Sequence, residues 1–182
     1  AGGAMAVLTA VAYPELFAAA AVHSGMQYRA AGSVAEALAA MKDGGPLPDT
    51  QARLAHAAMG GRARMIPIMI VQGDKDPSVR PENARVLAAQ FAVLSALAGS
   101  PLSDPSGQPE VREQGGYRAL RSVYHDAAGS PVMEVWLIEG LAHAWSGGSS
   151  GGTWTDAAAP AITPEIVRFL LAHPMPAIRS TP

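Results

Sequence analysis

The residues with the clearest capacity for chemistry are a carboxylate and an imidazole, each placed just after an apolar run. Asp76 ends the sequence Gly-Asp-Lys-Asp that follows residues 67–72, and His143 follows residues 132–138. Open parallel sheets form their ligand crevice at the carboxyl ends of the strands. A carboxylate there orients a histidine base and stabilises the imidazolium that forms on it. The pattern therefore predicts Asp76 as the acid and His143 as the base of a catalytic pair.

The residue pattern alone leaves alternatives open at both positions. Asp74 lies in the same turn and is an equal candidate for the carboxylate. Asp76 precedes a proline, and aspartate in that position commonly hydrogen-bonds its own turn. A single histidine such as His143 is often a surface residue or a hydrogen-bonded core residue. His23 also follows a predicted strand, so it is a candidate for the same crevice, although a packing role is favoured for it.

The small residues Ala1-Gly2-Gly3 lead directly into a predicted helix. Small side chains permit a tight turn from strand to helix, as in any crossover. The functional interpretation is the second half of a nucleophile elbow, in which a serine immediately precedes Ala1. The backbone N–H after such a serine is an oxyanion donor at a helix N-terminus. Ala1 and Gly2 are therefore predicted oxyanion and elbow residues.

The elements that would position these groups alternate between helix and strand, which is typical of an α/β fold with a mostly parallel sheet and helical crossovers. Strands are predicted at 17–22, 67–72, 117–125 and 132–138, the last two joined as a hairpin. Helices are predicted at 4–12, 33–41, 49–59, 81–97 and 166–171. Residues 100–114 are predicted to form a surface loop, and the tail after about residue 174 is predicted to be disordered.

Composition narrows the class of function. The chain has 182 residues, 15% charged residues and a net charge of −2 without a basic block, so nucleic-acid and anionic-membrane binding lack electrostatic support. No apolar run approaches the roughly 18 residues of a membrane-spanning helix. Cysteine is absent and no two histidines have the His-x-x-x-His spacing, so we expect no metal site.

Five segments of the chain resemble the polyhydroxybutyrate depolymerase and feruloyl-esterase-like family. They are residues 1–6, 13–14, 17–25, 73–79 and 140–148, and His-Ala-Trp-Ser-Gly-Gly in the last is the most specific. The resemblance implies an α/β-hydrolase fold, a serine immediately before Ala1, Asp76 as the acid and His143 as the base. It also implies that no cofactor is needed and that the protein is secreted or periplasmic.

The residue pattern and, for Trp145, the resemblance indicate what surrounds the reacting groups. His23, Ser24, Trp145 and Trp154 are candidates for a pocket that binds an ester substrate, while residues 154–160 depart from the family pattern. In this fold the elbow follows the fifth strand, so residues 1–182 are expected to be the C-terminal portion of a single domain. The strand at 17–22 would leave an unpaired apolar edge, and we expect a missing N-terminal segment of the same fold to cover it.

The predicted function is a serine-dependent carboxylic ester hydrolase that acts through an acyl-enzyme. The substrate classes that fit are polyhydroxyalkanoates and feruloyl or acetyl esters. Fold and triad do not fix the acyl acceptor, so a serine peptidase or an acyltransferase on the same scaffold is an alternative. A non-catalytic ligand-binding module that lacks the nucleophile is another. The identity of the residue before Ala1 discriminates between catalysis and binding alone.

Overall fold

The computed structural model describes residues 1–104 and 108–175. The helices are α1 (Gly2–Ala12), α2 (Val34–Asp43), α3 (Pro48–Met59), α4 (Glu82–Leu97) and α5 (Ile162–Ala172). The strands are β1 (Ala20–His23), β2 (Ile68–Gly73), β3 (Glu110–Gln114), β4 (Tyr117–His125), β5 (Pro131–Glu139), β6 (Trp145–Ser146) and β7 (Thr155–Asp156). The α/β class predicted from the alternation is confirmed. The predicted disorder of the tail concerns mainly residues 176–182, which lie outside the described ranges.

The central sheet has the strand order β1-β2-β5-β4-β3. Strand β2 pairs in parallel with β1 on one side and with β5 on the other. The predicted hairpin is confirmed, because β4 pairs antiparallel with β5, and β3 extends the sheet antiparallel to β4. The carboxyl ends of β1, β2 and β5 therefore lie side by side at one end of the sheet, where the predicted acid and base follow β2 and β5.

Two hydrophobic layers hold β2 in the centre of the molecule. Its residues are all buried, as expected for a strand covered on both faces. Successive side chains point to opposite faces, so Ile68 and Ile70 pack with α1, α3 and α4, whereas Met69 and Val71 pack with Trp136 and α5. Burial of both faces makes β2 a fixed platform for the turn that carries Asp76.

The first strand is shorter than predicted. It was expected at 17–22, but β1 begins only at Ala20. The guanidinium of Arg64 donates hydrogen bonds to the carbonyl oxygens of Pro14, Phe17 and Ala18, at 2.9, 2.5 and 3.2 Å. These carbonyl oxygens accept from the Arg64 side chain, and the pairing of β1 with β2 begins only at Ala20. The apolar run therefore enters the sheet three residues late.

The prediction of a loop at 100–114 is wrong for its last five residues, which form β3. All five side chains of β3 are exposed, and four of them are polar. An edge strand of this kind lacks the apolar alternation that reveals a half-buried strand. Within residues 1–104 and 108–175, no helix has both the length and the apolar character needed to cross a bilayer.

Candidate active site

The turn after β2 and the loop after β5 are in direct contact. The Asp74 N–H donates to the Ile138 carbonyl oxygen at 3.1 Å, and the Lys75 N–H donates to the Leu141 carbonyl oxygen at 3.0 Å. A side chain on Gly73 would overlap that Leu141 carbonyl group. Glycine is therefore required where the two loops meet, and this contact places the Asp76 turn against the segment that carries His143.

Asp76 lies behind the site as a buried carboxylate with four hydrogen-bond donors. Its Oδ1 accepts from the Ser78 and Val79 N–H groups, each at 2.9 Å. Its Oδ2 accepts from His143 Nδ1 at 2.7 Å and from Gln72 Nε2 at 3.3 Å. An aspartate carboxylate only accepts hydrogen bonds, so this set of donors fixes its orientation. The Asx turn and the contact with His143 are both present, on different oxygen atoms.

Asp74 has a different role. Its Oδ1 accepts from the Gly140 N–H at 2.6 Å, and its Oδ2 lies 3.5 Å from Lys75 Nζ. The carboxylate therefore joins its own turn to the end of β5. Of the two aspartates that the sequence left open, Asp76 is the one that contacts His143.

His143 has the orientation that a general base needs. Because Asp76 accepts at Nδ1, that nitrogen carries the proton of the neutral ring, and Nε2 holds a lone pair. Among the described residues, no protein group is hydrogen-bonded to Nε2. The His143 side chain is 35% exposed, so an incoming group can reach it. The arrangement can take up a proton at Nε2 and stabilise the resulting imidazolium through Asp76.

A cavity of about 420 Å³ opens in front of His143. The predicted elbow residues and all four predicted pocket residues lie in its wall. The lining consists of Ala1, Gly2, Gly3, Ala21, His23, Ser24, His143, Ala144, Trp145 and Trp154. Asp76 is the one predicted site residue that lies outside the lining, because it is buried behind the imidazole.

The N-terminus of α1 forms one wall of this cavity. Its N-cap residue, Ala1, makes no side-chain capping hydrogen bond. The first N–H groups of a helix lack partners within the helix and carry partial positive charge. A side chain on Gly3 would approach within 2.9 Å of the His23 carbonyl oxygen, so glycine lets the helix start lie close against the end of β1. These N–H groups can stabilise an oxygen atom that gains negative charge.

His23 also lines the cavity, and it combines packing with hydrogen bonding. Its ring stacks on Trp145 with centroids 5.0 Å apart. Its Nε2 accepts from the Ser146 N–H at 3.3 Å, and its Nδ1 lies 3.2 Å from Ser24 Oγ. Burial lowers the pKa of His23 to about 4, although Asp76 raises it and His143 lowers it further. A pKa this low makes His23 a weak proton acceptor near pH 7, and the Ser146 N–H already occupies its Nε2 lone pair, which suits a structural part of the wall rather than a base.

The comparison with known families decides where the chain belongs. A family model for esterase PHB depolymerases matches residues 1–113. The chain belongs to this family. Poly(3-hydroxyalkanoate) depolymerase C of Paucimonas lemoignei is 31% identical over 146 residues, which are 79% of this chain and 33% of that protein. The match therefore spans about a third of the length of this depolymerase.

Solved structures of two enzymes show the same fold. Acetyl xylan esterase from Aspergillus awamori matches with a TM-score of 0.57 and 22% identity, over 78% of this chain and 51% of that one. A PHB depolymerase variant complexed with an R3HB trimer matches with a TM-score of 0.58 and 16% identity, over 86% of this chain and 44% of that one. The predicted α/β-hydrolase fold is confirmed for this member of the esterase PHB depolymerase family.

Residues 154–160 begin at the cavity rim, where Trp154 lines the cavity. The Trp145 N–H donates to the Trp154 carbonyl oxygen at 2.8 Å, and β6 and β7 pair beside it. Tyr117 Oη donates to Asp156 Oδ2 at 2.5 Å, which ties the rim to β4. Trp154 is 68% exposed and meets the His143 ring edge-on, with centroids 6.1 Å apart.

Sequence reasoning missed two residues that support the site in this family member. Gln72 donates to Asp76, and Tyr117 holds the rim through Asp156. Gln72 carries a usable signal, because it is a polar residue at the end of an apolar strand and directly before the turn. Tyr117 carries no such signal, since its partner is 39 residues away.

Proposed function

We propose that this chain is part of a serine-dependent carboxylic ester hydrolase that acts through an acyl-enzyme. The observation that carries the proposal is the contact of His143 Nδ1 with Asp76 Oδ2 at 2.7 Å, with the imidazole facing a cavity that Ala1 also lines. Hydrolases of this fold follow the chain order serine, acid, histidine. We therefore assign the nucleophile to a serine that immediately precedes Ala1, as the family resemblance implies.

The assigned residues account for each proton in the reaction. The serine hydroxyl attacks the ester carbonyl carbon while His143 Nε2 takes the hydroxyl proton. The tetrahedral oxyanion accepts hydrogen bonds from the N-terminus of α1, including the Ala1 N–H. When the C–O bond breaks, the imidazolium returns the proton to the leaving alcohol. Water then attacks the acyl-enzyme by the same route, releasing the acid and regenerating the serine.

The proposed substrates are polyhydroxyalkanoates or related aryl and acetyl esters. The names of the relatives support this class, because they include a poly(3-hydroxyalkanoate) depolymerase and an acetyl xylan esterase. Trp145 and Trp154 give the cavity flat apolar walls that suit an acyl or aryl group. Secretion, or export to the periplasm, is proposed on the family resemblance alone.

We also propose that an N-terminal segment of the same domain completes the sheet. Among the described residues, β1 pairs on one side only. Beside its other side lies a largely apolar groove of about 310 Å³ between α1 and α5. The matches to longer relatives support a domain that extends beyond these residues. A strand alongside β1 would form hydrogen bonds with the backbone groups on the outer side of β1, and it would cover this apolar surface.

The test is the activity of the full-length protein on p-nitrophenyl esters and on polyester film. Asp76→Asn should lower turnover by about 10⁴-fold, as the same change does in other triad hydrolases. Asp74→Asn is the matched control, and its turnover should stay within a few-fold of the wild-type value, because Asp74 does not touch His143 and the asparagine amide oxygen can still accept from the Gly140 N–H. Near-normal activity of Asp76→Asn would remove Asp76 from the mechanism.

The nucleophile is tested separately by covalent labelling. An organophosphate that traps reactive serines should modify the residue before Ala1, and peptide mass mapping locates the adduct. Labelling of a different residue would move the nucleophile to that residue. A protein that is not labelled and does not hydrolyse esters would support the binding-module alternative. Cleavage of peptides in preference to esters would support the peptidase alternative.

A further inference from the structure

Ser24 is a polar cavity residue to which the mechanism above gives no task. Its backbone has φ +48°, in the left-handed region that residues other than glycine seldom adopt. The Ser24 N–H donates to the Val71 carbonyl oxygen at 2.9 Å, so the pairing of β1 with β2 maintains this conformation. Strained backbone of this kind is concentrated at functional sites. The unused residue therefore lies where a ligand contact is expected.

The hydrogen bonds of His23 determine the direction of the Ser24 hydroxyl. The Ser146 N–H donates to His23 Nε2, so that nitrogen carries a lone pair. The ring is neutral near pH 7, because burial lowers the pKa of His23 to about 4. A neutral imidazole has one N–H group, which must then be at Nδ1. His23 Nδ1 therefore donates to Ser24 Oγ.

This direction leaves the Ser24 proton free. An accepting hydroxyl still has its own O–H to donate. Within residues 1–104 and 108–175, Ser24 Oγ has no second hydrogen-bond partner in the protein. Because Ser24 lines the cavity, its O–H is available to an acceptor atom of a bound molecule. The Ser146, His23 and Ser24 groups thus form a chain of donors that ends in the cavity.

We propose that Ser24 is a specificity residue that donates its O–H to a substrate oxygen outside the ester group that is cleaved. The proposal rests on the ester hydrolysis proposed above. In that reaction the carbonyl oxygen of the cleaved ester accepts hydrogen bonds from the N-terminus of α1. The leaving oxygen receives its proton from His143. Both oxygens of the cleaved group thus have donors already. The Ser24 donor matches esters of hydroxy acids, in which a further oxygen recurs with every unit.

The size of the cavity agrees with this substrate class. Its volume of about 420 Å³ falls in the range of small-molecule pockets, roughly 300–1,000 Å³, and exceeds the space that one ester group requires. A second oxygen-bearing unit can therefore lie within it. A simple alkyl ester would leave the Ser24 donor without an acceptor, and such unpaired donors disfavour a ligand.

The test compares two esters in the full-length protein, a methyl-capped trimer of 3-hydroxybutyrate and ethyl butyrate. Ser24→Ala and Ser24→Gly should each lower the ratio of kcat/KM for the trimer to kcat/KM for ethyl butyrate by about tenfold, the size of one hydrogen bond. Ser122→Ala, on β4 outside the cavity lining, is the matched control and should keep the wild-type ratio. Thermal unfolding of each variant confirms that it is folded.

Three results would overturn the inference. An unchanged ratio means that Ser24 donates nothing specific to the trimer. Equal losses on both esters mean that Ser24 acts on the cleaved group or on the fold. A loss in Ser24→Gly but not in Ser24→Ala assigns the effect to the backbone, since alanine removes the hydroxyl and keeps the β-carbon.

Failure of the proposed function is distinguishable from failure of this inference. If the wild-type protein cleaves neither ester, the hydrolase proposal fails. The contact of Ser24 with the trimer can then still be tested by binding. Calorimetry of the trimer with a His143→Ala protein gives a Kd without turnover. Adding Ser24→Ala to that protein should raise the Kd about tenfold. An unchanged Kd, or no binding of the trimer, contradicts the role assigned to Ser24.

Discussion

At the residue scale, two histidines share one cavity but have different partners. His143 contacts the Asp76 carboxylate, whereas among the described residues the His23 ring is hydrogen-bonded only to the Ser146 N–H and the Ser24 hydroxyl. A carboxylate stabilises an imidazolium, and neutral groups do so much less. The proposed base, His143, and the wall residue, His23, are therefore distinguished by their neighbours rather than by their exposure to the cavity.

The pKa of His23 makes stability depend on pH. Burial lowers it from its usual 6.5 to about 4 in the folded protein. Between these values the unfolded chain binds a proton that the folded protein does not, so stability falls as pH decreases from 6.5 to 4. In urea unfolding, the unfolding free energy of the full-length protein should fall between pH 7 and pH 4.5. This fall should be about 2 kcal/mol larger than the fall in the His23→Phe variant. If the His23→Phe variant loses the same unfolding free energy over this pH range, protonation of His23 is not the cause.

At the scale of elements, the contact between the β2 turn and the β5 loop determines the spacing of the acid and the base. Gly73→Ala forces a side chain into the Leu141 carbonyl group. We expect a loss of more than about 2 kcal/mol in unfolding free energy, together with a fall in turnover, because the two loops must separate. Gly61→Ala, which meets no atom within 4 Å, should change stability by less than about 0.5 kcal/mol.

A second junction joins α5 to β4 and β5 through buried Glu134. Although burial opposes ionisation, hydrogen bonds from Arg121, Trp136 and Arg168 hold the pKa of Glu134 below its usual range. Glu134→Gln removes the charge but keeps the shape, and should cost about 2–3 kcal/mol in chemical denaturation. Glu113→Gln removes an exposed pair with Arg118 and should cost less than about 1 kcal/mol. If both variants lost similar amounts of unfolding free energy, the buried Glu134 network would stabilise the fold no more than the exposed Glu113 pair does.

At the scale of the whole molecule, we propose that the chain depends on further sheet, because no strand among the described residues pairs with the outer side of β1. Residues 1–182 expressed alone should aggregate, because an exposed strand edge beside apolar surface pairs with other chains. Co-expression with the N-terminal part of the same protein should yield a soluble complex, detected by sedimentation. A monomer of residues 1–182 that unfolds cooperatively would contradict the proposal of a shared domain.

The sequence predicted the parts of the molecule whose signals are local. Asp76 follows an apolar run that is buried on both faces, and the strand 67–72 was therefore recognisable together with its turn. Strand β3 was not recognisable, because its exposed polar side chains carry no core pattern. The stacking of His23 on Trp145 joins positions far apart in the chain, and only the folded structure brings them together. The choice of Asp76 over Asp74 likewise depended on three-dimensional contact.

The rim described above has a consequence for how such an enzyme acquires new preferences. Trp154 belongs to a stretch that begins after Ser146 and is tied down at its far end by Tyr117 and Asp156. None of these residues transfers a proton in the proposed reaction. We therefore expect that exchanging the part of the stretch before Trp154 between related hydrolases alters ester selectivity, while keeping Trp154 preserves its edge contact with His143.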